Sequence, residues 1–145
     1  MAEARITFTL NRLVSVLNSH ADAILRARYD MTYSQFLFLL SLKPGRMSMT
    51  ELSECLDVST AAVSKRAPWF EERGLIRIAH DPNHGRKVLL SLTRKGHRLV
   101  DKAAEELDGA FVEQFADIDA RELARLNHDL SRILTRLSQS PKEAP

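Results

Sequence analysis

The side chains of this sequence that could do chemistry form a basic block and not a catalytic set. From Ser59 to Arg98 there are nine lysines and arginines and three acids, which gives this stretch a charge of about +6, whereas the whole chain of 145 residues carries +2. A block of positive charge in a weakly charged chain is typical of a surface that faces a polyanion. On charge alone, a solvated helix face is an equally acceptable interpretation.

No motif in the sequence is typical of an enzyme. There is no glycine-rich phosphate loop, no nucleophile elbow and no His-Glu-x-x-His pair of metal ligands. The five histidines also lack the spacing of a zinc site; they are His20, His80, His84, His97 and His128. We therefore expect a binding protein that is not an enzyme and that has no cofactor and no metal.

The single cysteine, Cys55, cannot form an internal disulfide. It could sense oxidation, but its neighbours Glu54 and Leu56 supply no positive charge of the kind that activates a thiol, so we interpret it as a packing residue. The N-terminal segment has no basic region followed by an apolar core, and the longest apolar run, Phe36 to Leu40, is too short to span a membrane. These features predict a cytoplasmic protein.

Hydrophobic spacing and capping residues predict the helices that must position the basic block. A first long helix carries apolar residues at three- and four-residue steps from Ile6 to Leu25. Capping boxes then begin a second helix, to about Leu42, and a short third helix, to about Leu56. These boxes pair Thr32 with Gln35 and Ser48 with Glu51. A tight turn, "DVS", leads to a fourth helix with Ser59 as its N-cap.

After the fourth helix the hydrophobic period becomes that of strands. The runs "LIRIA" and "KVLLSL" predict a two-stranded hairpin, and the string "HDPNHGR" between them predicts an extended basic tip. Thr93 then caps a helix, and a capping box of Asp119 with Glu122 opens a final helix before a polar tail at residues 139–145. Helix, short turn, helix and basic hairpin is the order of a winged helix-turn-helix, whose second helix enters the DNA major groove.

One proline interrupts this pattern. Pro68 lies inside the fourth helix, in "STAAVSKRAPWFEERG", where it removes a hydrogen bond that the Ser64 carbonyl would accept. We predict a local kink or a loosened turn from Ser64 to Ala67, with the helix continuing to about Arg73. The adjacent Trp69 is interpreted as packing at the edge of the core, and contact with the wing base or the phosphate backbone is the alternative.

The chain resembles the MarR-type transcriptional regulators. The resemblance covers roughly Ile6 to Leu137 and is most specific in "ERGLI", "DPN", Arg86 and "LSLTRKG". It implies a homodimer with a winged helix-turn-helix DNA-binding lobe at about residues 32–96. The helices at about residues 5–30 and 97–138 would interlock as the dimerisation region. Such regulators typically repress nearby genes and release DNA when a small molecule binds or a cysteine is oxidised.

The resemblance also implies which residues meet DNA. The recognition helix would run from Ser59 to about Arg73, with Val63, Phe70 and Leu75 at core positions. Arg86 matches the wing arginine that enters the minor groove. The residues implied for DNA binding are Ser59, Thr60, Ala61, Ser64, Lys65 and Arg66 in the helix, and His84, Arg86 and Lys87 in the wing.

The sequence departs from the family pattern at two positions in and beside this surface. His84 stands where the family often has an aspartate that pairs with the wing arginine, so that electrostatic support is absent, and Gly85 could let the wing turn more tightly instead. Pro68 stands where the family commonly has an acidic or polar residue. Both departures concern the geometry of DNA contact and leave the architecture unchanged.

These observations predict a mainly α protein with a small β-hairpin wing, in a single domain of 145 residues. Its function would be that of a dimeric regulator, most simply a repressor that a small-molecule effector releases from a pseudo-palindromic DNA operator. A protein–protein adaptor with the same fold is the alternative, although an adaptor has no need of the basic block. No set of residues identifies the effector.

Overall fold

A computed structural model describes residues 2–139 as six helices and three strands. In chain order these are α1 (Ala2–Tyr29), α2 (Tyr33–Ser41), β1 (Met47–Ser48), α3 (Met49–Leu56), α4 (Thr60–Glu72), β2 (Ile76–Asp81), β3 (His84–Leu92), α5 (Arg94–Gln114) and α6 (Ala120–Ser138). The predicted fold class, mainly α with a small β wing, is therefore confirmed. Apart from Gln139, the predicted polar tail lies outside the described residues.

A boundary between Leu107 and Asp108, inside α5, divides the described chain into two compact units. The first unit contains α1 to β3 and the N-terminal part of α5, and the second contains the rest of α5 and α6. The single domain and the lobe limits at about residues 32 and 96 stay predictions. Within residues 2–139, no helix is both long and apolar enough to cross a membrane.

The predicted capping boxes begin α2 and α3. Thr32 Oγ1 accepts a hydrogen bond from the Gln35 N–H at 3.1 Å, and Gln35 Oε1 accepts one from the Thr32 N–H at 2.8 Å. Ser48 and Glu51 make the same reciprocal pair at 3.1 and 2.7 Å. These bonds satisfy N–H groups that a helix leaves without intrahelical partners, which is why the sequence signature identified both starts.

The predicted capping box at the start of α6 is wrong in one detail. Asp119 is the N-cap, as expected, but its carboxylate accepts from the Arg121 N–H at 3.4 Å and not from that of Glu122. A short Asp side chain can reach the N–H of either the second or the third helical residue, so the sequence alone cannot choose between them.

The sheet has three antiparallel strands in the order β1-β3-β2, and not the two that were predicted. The additional strand, β1, pairs Met47 with Leu90 and Ser48 with Leu89. A strand of two residues is too short to show an alternating pattern, so its existence depends on the pairing partner supplied by β3.

The hairpin tip is also shorter than expected. β2 extends to Asp81 and β3 begins at His84, so only Pro82 and Asn83 lie between them. The Asn83 N–H donates to Asp81 Oδ1 at 2.9 Å, which closes the turn in the local manner typical of aspartate. Most of the string "HDPNHGR" is therefore strand and not loop.

The core of the first unit lies between α2, α3, α4 and the sheet. Phe38 and Phe70 stack at its centre, with ring centroids 4.3 Å apart. Around them lie other fully buried apolar side chains, among them Leu25, Leu39, Leu52, Val63 and Leu90. The predicted core positions Val63, Phe70 and Leu75 are confirmed, because each is at most 3% exposed.

The helix that contains Pro68 is continuous. α4 is α-helical from Thr60 to Glu72, so the predicted continuation past the proline is confirmed. Pro68 lies on the exposed side, where solvent can hydrate the Ser64 carbonyl that loses its partner. The bend between Ser64 and Ala67 stays a prediction.

A cluster of backbone contacts joins the end of α4 to the start of α5. Thr93 Oγ1 donates to the Gly74 carbonyl at 2.6 Å, and the Thr93 N–H donates to the Leu75 carbonyl at 3.0 Å. The Gly96 N–H donates to Thr93 Oγ1 at 3.0 Å, which confirms Thr93 as the helix cap. A Cβ on Gly96 would overlap the Leu75 carbonyl oxygen, so this close approach requires glycine.

A second polar contact holds α1 against the N-terminal part of α5. The Tyr29 hydroxyl donates to Glu106 Oε1 at 2.8 Å, and Arg28 Nη1 lies 3.2 Å from Glu106 Oε2. Burial, together with the hydrogen bond to Glu106, raises the pKa of Tyr29 to about 12. Tyr29 therefore stays protonated and remains a donor throughout the physiological pH range.

Candidate nucleic-acid interface

The turn between α3 and α4 is short because Asp57 adopts a left-handed conformation. Its φ of 53° ends α3, and the Val58 N–H donates back to the Ser53 carbonyl at 3.0 Å. Ser59 then caps α4, since its Oγ accepts from the Ala62 N–H at 3.1 Å. α3 and α4 are thereby joined by a short turn as a helix-turn-helix pair, in which α3 supports α4.

α4 has a buried face and an exposed face. Val63, Ala67 and Phe70 are buried against the core. Five of the six helix residues predicted to bind DNA are exposed: Ser59, Thr60, Ala61, Ser64 and Lys65. They occupy the N-terminal part of the helix, so small and polar side chains and one lysine face outward there. This surface could accept hydrogen bonds from base edges and attract phosphates.

The sixth residue, Arg66, is only partly exposed and contacts α2. Its Nη2 donates to Ser34 Oγ at 2.8 Å, and its Cζ lies 5.7 Å from the centroid of the Phe38 ring. Nothing in the sequence indicated the bond to Ser34. One of the five guanidinium N–H donors is thus engaged, and the others remain for a phosphate.

The three wing residues predicted to bind DNA, His84, Arg86 and Lys87, are all exposed. The strand register changes beside them, because Asp81 pairs with His84 whereas His80 pairs with Val88. The segment from Gly85 to Lys87 therefore has no partners in β2. Such an irregularity redirects side chains at the end of a hairpin, and here it contains the wing arginine.

An acidic side chain of α3 lies close to the wing. The hydrogen bond from the Ser48 N–H holds the pKa of Glu51 below its ordinary value, with smaller contributions from the Ser48 hydroxyl and from the positive charge of Lys87. Lys87 is thus near a carboxylate that partly offsets its charge. The Arg86 side chain makes no hydrogen bond or ion pair with the described residues 2–139. Its positive charge is therefore less compensated than that of Lys87.

The wing is attached to α4 by a side chain. Glu71 Oε2 accepts a hydrogen bond from the Ile78 N–H of β2 at 3.2 Å. β2 is an edge strand, so the N–H groups on its outer side have no neighbouring strand to bond. The carboxylate therefore satisfies an edge donor and connects the last turn of α4 to the wing.

Two cations of the basic block have intramolecular roles that the sequence did not indicate. Arg73 Nη1 donates to the Trp69 carbonyl at 3.0 Å, and its Cζ lies 3.7 Å from the centroid of the Trp69 ring. Lys95 Nζ donates to the Arg73 carbonyl at 2.8 Å. Both stabilise the C-terminal end of α4, where cations interact favourably with unpaired carbonyls.

The predicted core-edge packing of Trp69 is confirmed. The ring is partly exposed and meets Phe70 edge to face, with centroids 4.9 Å apart. Trp69 also borders a small cavity of about 240 Å³, together with Arg26 of α1, Gln35 of α2, residues 30–32 between these helices, and Arg73. One side of the ring therefore lies near α1 and α2, and contact with the wing base or the phosphate backbone stays an untested alternative.

Cys55 is exposed on α3, so its interpretation as a packing residue is wrong. The helix is short, and sequence position alone did not show which side faces the core. Within residues 2–139, no group of three or more His, Cys, Asp and Glu side chains is arranged to hold a metal ion.

Comparisons with known proteins agree with this geometry. Residues 29–87 match the family model described as "MarR family". The multiple antibiotic resistance protein MarR of Salmonella typhimurium is 27% identical over 130 residues, which cover 86% of this chain and 90% of that protein. The family-model match includes α3, α4, β2 and the first four residues of β3.

Two solved structures are similar in fold. Sco3205, a MarR family transcriptional regulator from Streptomyces coelicolor in complex with DNA, has a TM-score of 0.81 and 20% identity, covering 98% of this chain and 91% of its own. NadR in complex with 4-hydroxyphenylacetate has a TM-score of 0.72 and 20% identity, covering 88% and 91%. These similarities extend over nearly the whole described chain.

Proposed function

We propose that this chain, which matches the MarR family model over residues 29–87, is a MarR-type transcriptional regulator: a dimeric repressor that binds a specific DNA operator and is released by a small molecule. The observation that carries the proposal is the exposed N-terminal part of α4. It presents Thr60, Ala61, Ser64 and Lys65 outward, while Val63, Ala67 and Phe70 are buried.

The dimensions and chemistry of α4 suit the DNA major groove. The groove admits one α-helix, and small side chains near the helix N-terminus let the backbone approach the base edges. Thr60 and Ser64 can hydrogen-bond to bases or phosphates, and Lys65 and Arg66 suit a phosphate or a guanine. The free N–H groups at the start of α4 favour a phosphate as well.

The wing would supply the second contact. Arg86 is exposed in the irregular segment of β3, and the narrow minor groove attracts an arginine through its negative potential. His84 and Lys87 would meet the backbone beside it. Because Glu71 joins the wing to α4, both contacts would be presented by one connected surface.

The dimer is supported by apolar side chains that the single chain leaves exposed. None of the described residues of α6 is buried, although one side of the helix is apolar along its length. Its exposed members include Leu126, Ile133, Leu134 and Leu137, and the exposed residues of α1 include Ile6 and Val14. Apolar stripes of this kind typically mark an interface, and a second copy of the chain is the occupant that we propose.

Replacing Leu134 with aspartate should convert the dimer to a monomer or prevent folding. Leu134 is 67% exposed in one chain, and burying such a side chain contributes about 1.5–3 kcal/mol in each copy. Thr135→Asp is the matched control, because Thr135 is the exposed neighbour on the polar side of α6. Sedimentation analysis should show the change only for Leu134→Asp. An unaltered dimer in that variant would contradict the proposed interface.

The effector part of the proposal is supported by the fold of NadR, whose structure contains 4-hydroxyphenylacetate. A repressor must lose DNA affinity when its effector binds, so the effector must favour a conformation in which α4 and the wing fit DNA less well. A DNA-binding role also implies the compartment that holds the DNA, in keeping with the cytoplasmic location expected from the sequence.

Selection of bound sequences from random duplex DNA tests the function as a whole. A two-fold symmetric dimer should enrich a pseudo-palindrome whose half-site centres are on the order of 10 bp apart. The double variant Ser64→Glu/Lys65→Glu should enrich nothing, since two carboxylates would face the phosphates. Enrichment of a single isolated half-site bound by a monomer, or of no sequence at all by the unmodified protein, would refute the proposal.

A further inference from the structure

Arg66 of α4 is held by two residues of α2 that lie about one helical turn apart. Its Nη2 donates to Ser34 Oγ at 2.8 Å, and its Cζ lies 5.7 Å from the centroid of the fully buried Phe38 ring. A cation at about this distance from an aromatic face is attracted to it. The guanidinium group is therefore fixed at two points, although the residue remains partly exposed.

The first turn of α2, which carries Ser34, is itself held in place. The capping box of Thr32 and Gln35 closes the start of the helix, and the Tyr33 N–H donates to Asp22 Oδ1 of α1 at 2.9 Å. A supporting residue positions its partner only when its own backbone is fixed. The start of α2 meets this condition, because the residues before and after Ser34 are both bonded.

The group that anchors Arg66 is a neutral hydroxyl, so the charge of the arginine is not cancelled. By contrast, Arg28 of α1 lies 3.2 Å from a carboxylate oxygen of Glu106, which offsets its charge. Within residues 2–139, Arg66 makes no ion pair. A phosphate would not have to compete with a carboxylate for it, and four of its five N–H donors remain. Arg66 is thus both ordered and uncompensated, which suits the binding of an anion.

Arg66 differs in this respect from the other cations of the proposed DNA surface. The side chains of Lys65, Arg86 and Lys87 make no hydrogen bond with the described part of the chain, so each must be ordered when it meets DNA. Immobilising a long side chain opposes association. For Arg66, the contacts with α2 remove part of this freedom before DNA binds.

We propose that Ser34 is a positioning residue, which holds Arg66 in a conformation that binds a backbone phosphate of the operator. α2 thereby contributes to DNA binding through a side chain of α4. The inference rests on the proposed function, because it requires an operator, and it adds a role for a helix outside the α3–α4 pair. A hydroxyl that only ties α2 to α4 would affect stability and leave operator affinity unchanged.

Replacing Ser34 with alanine should weaken operator binding about fivefold or more. The guanidinium would lose its anchor in both copies of the dimer, and ordering it on a phosphate would then oppose binding. Alanine is a good helix former at this exposed position, so the fold should remain intact. Ser34→Thr keeps the hydroxyl and should retain most of the affinity. Unchanged operator affinity in Ser34→Ala would overturn the proposal.

Ser41→Ala is the matched control, because it removes the same group from the other end of α2. The Ser41 hydroxyl donates to the Leu37 carbonyl of its own helix at 2.8 Å. Operator affinity should therefore stay unchanged in this variant. An equal loss of affinity in Ser41→Ala and Ser34→Ala would show that any disturbance of α2 has the same effect, and would contradict the role of the bond to Arg66.

A double-mutant cycle with Arg66→Met tests whether Ser34 acts through Arg66. Methionine keeps an apolar stem over Phe38 but has no N–H group to donate. Arg66→Met should weaken operator binding and make its salt dependence shallower by about one charge per half-site. Ser34→Ala should keep the salt dependence, because the positive charge remains. In the Arg66→Met background, Ser34→Ala should have no further effect on operator affinity, and additive losses would refute the positioning role.

Failure of this inference can be told apart from failure of the proposed function. Absence of operator binding by the unmodified protein would overturn the proposed function itself. Operator binding that Ser34→Ala leaves unchanged, or that Ser34→Ala and Arg66→Met weaken independently, would overturn only the role of Ser34.

Discussion

Replacing Arg86 with alanine should raise the dissociation constant for operator DNA roughly 30-fold or more while leaving the dimer intact. One arginine contact with DNA contributes about 1–3 kcal/mol, and a two-fold symmetric dimer loses that contact twice. Because Arg86 is exposed and makes no hydrogen bond or ion pair within residues 2–139, its removal should leave the stability within about 0.5 kcal/mol. Titration of labelled operator at about 150 mM salt measures the loss.

Two control variants separate the position of Arg86 from its charge. Arg94→Ala removes the same charge from an exposed position at the start of α5, so it should have a much smaller effect. Arg86→Lys keeps the charge but lacks the planar guanidinium, and should recover part of the affinity. The dependence of affinity on salt should become shallower by about one charge per half-site in Arg86→Ala. Equal losses in Arg86→Ala and Arg94→Ala would show that only net charge matters, and would contradict the wing contact.

The parts of the fold that the sequence predicted are those set by local interactions. Val63 and Phe70 are seven residues apart, so helical spacing alone places them on one face of α4. The capping boxes at Thr32 and Ser48 are similarly local, because each bond connects residues three apart. In such cases the geometry of one turn determines the result, and no distant part of the chain is needed.

The parts that the sequence did not predict depend on distant partners. β1 forms only because Leu89 and Leu90 of β3 lie opposite it, more than forty positions along the chain. The bond between Arg66 and Ser34 joins residues 32 positions apart, and nothing in the local pattern of α4 indicates it. The long side chain of Lys95 could have pointed to solvent or DNA, and only the packing of α5 brings it to the Arg73 carbonyl.

The same distinction applies to the candidate site. The exposed residues of α4 could be predicted, because the apolar residues of an amphipathic helix mark its buried face and the exposed face lies opposite. The wing could be predicted only as a hairpin, because the register shift beside Arg86 depends on how β2 and β3 pair.

Replacing Gly96 with alanine should destabilise the protein by about 3 kcal/mol, because overpacking at a backbone contact cannot be relieved by a rotamer change. The new Cβ would overlap the Leu75 carbonyl oxygen, and the Leu75 carbonyl carbon and Leu92 Cδ2 are only 3.1 and 3.2 Å away. That same carbonyl accepts the Thr93 N–H, so moving it would also break the contact between α4 and α5. For a chain of this length the melting temperature should fall by roughly 10 °C.

Gly109→Ala is the matched control, since it adds the same methyl group to the same helix. No heavy atom lies within 4 Å of the position that its Cβ would occupy, and alanine is favoured over glycine in a helix by about 0.5–1 kcal/mol. Gly109→Ala should therefore be slightly more stable than the unmodified protein when both are melted at the same protomer concentration. Equal stability of the two variants would mean that helix propensity outweighs the contact at Leu75, and that the end of α4 is not held in place by the close approach of α5.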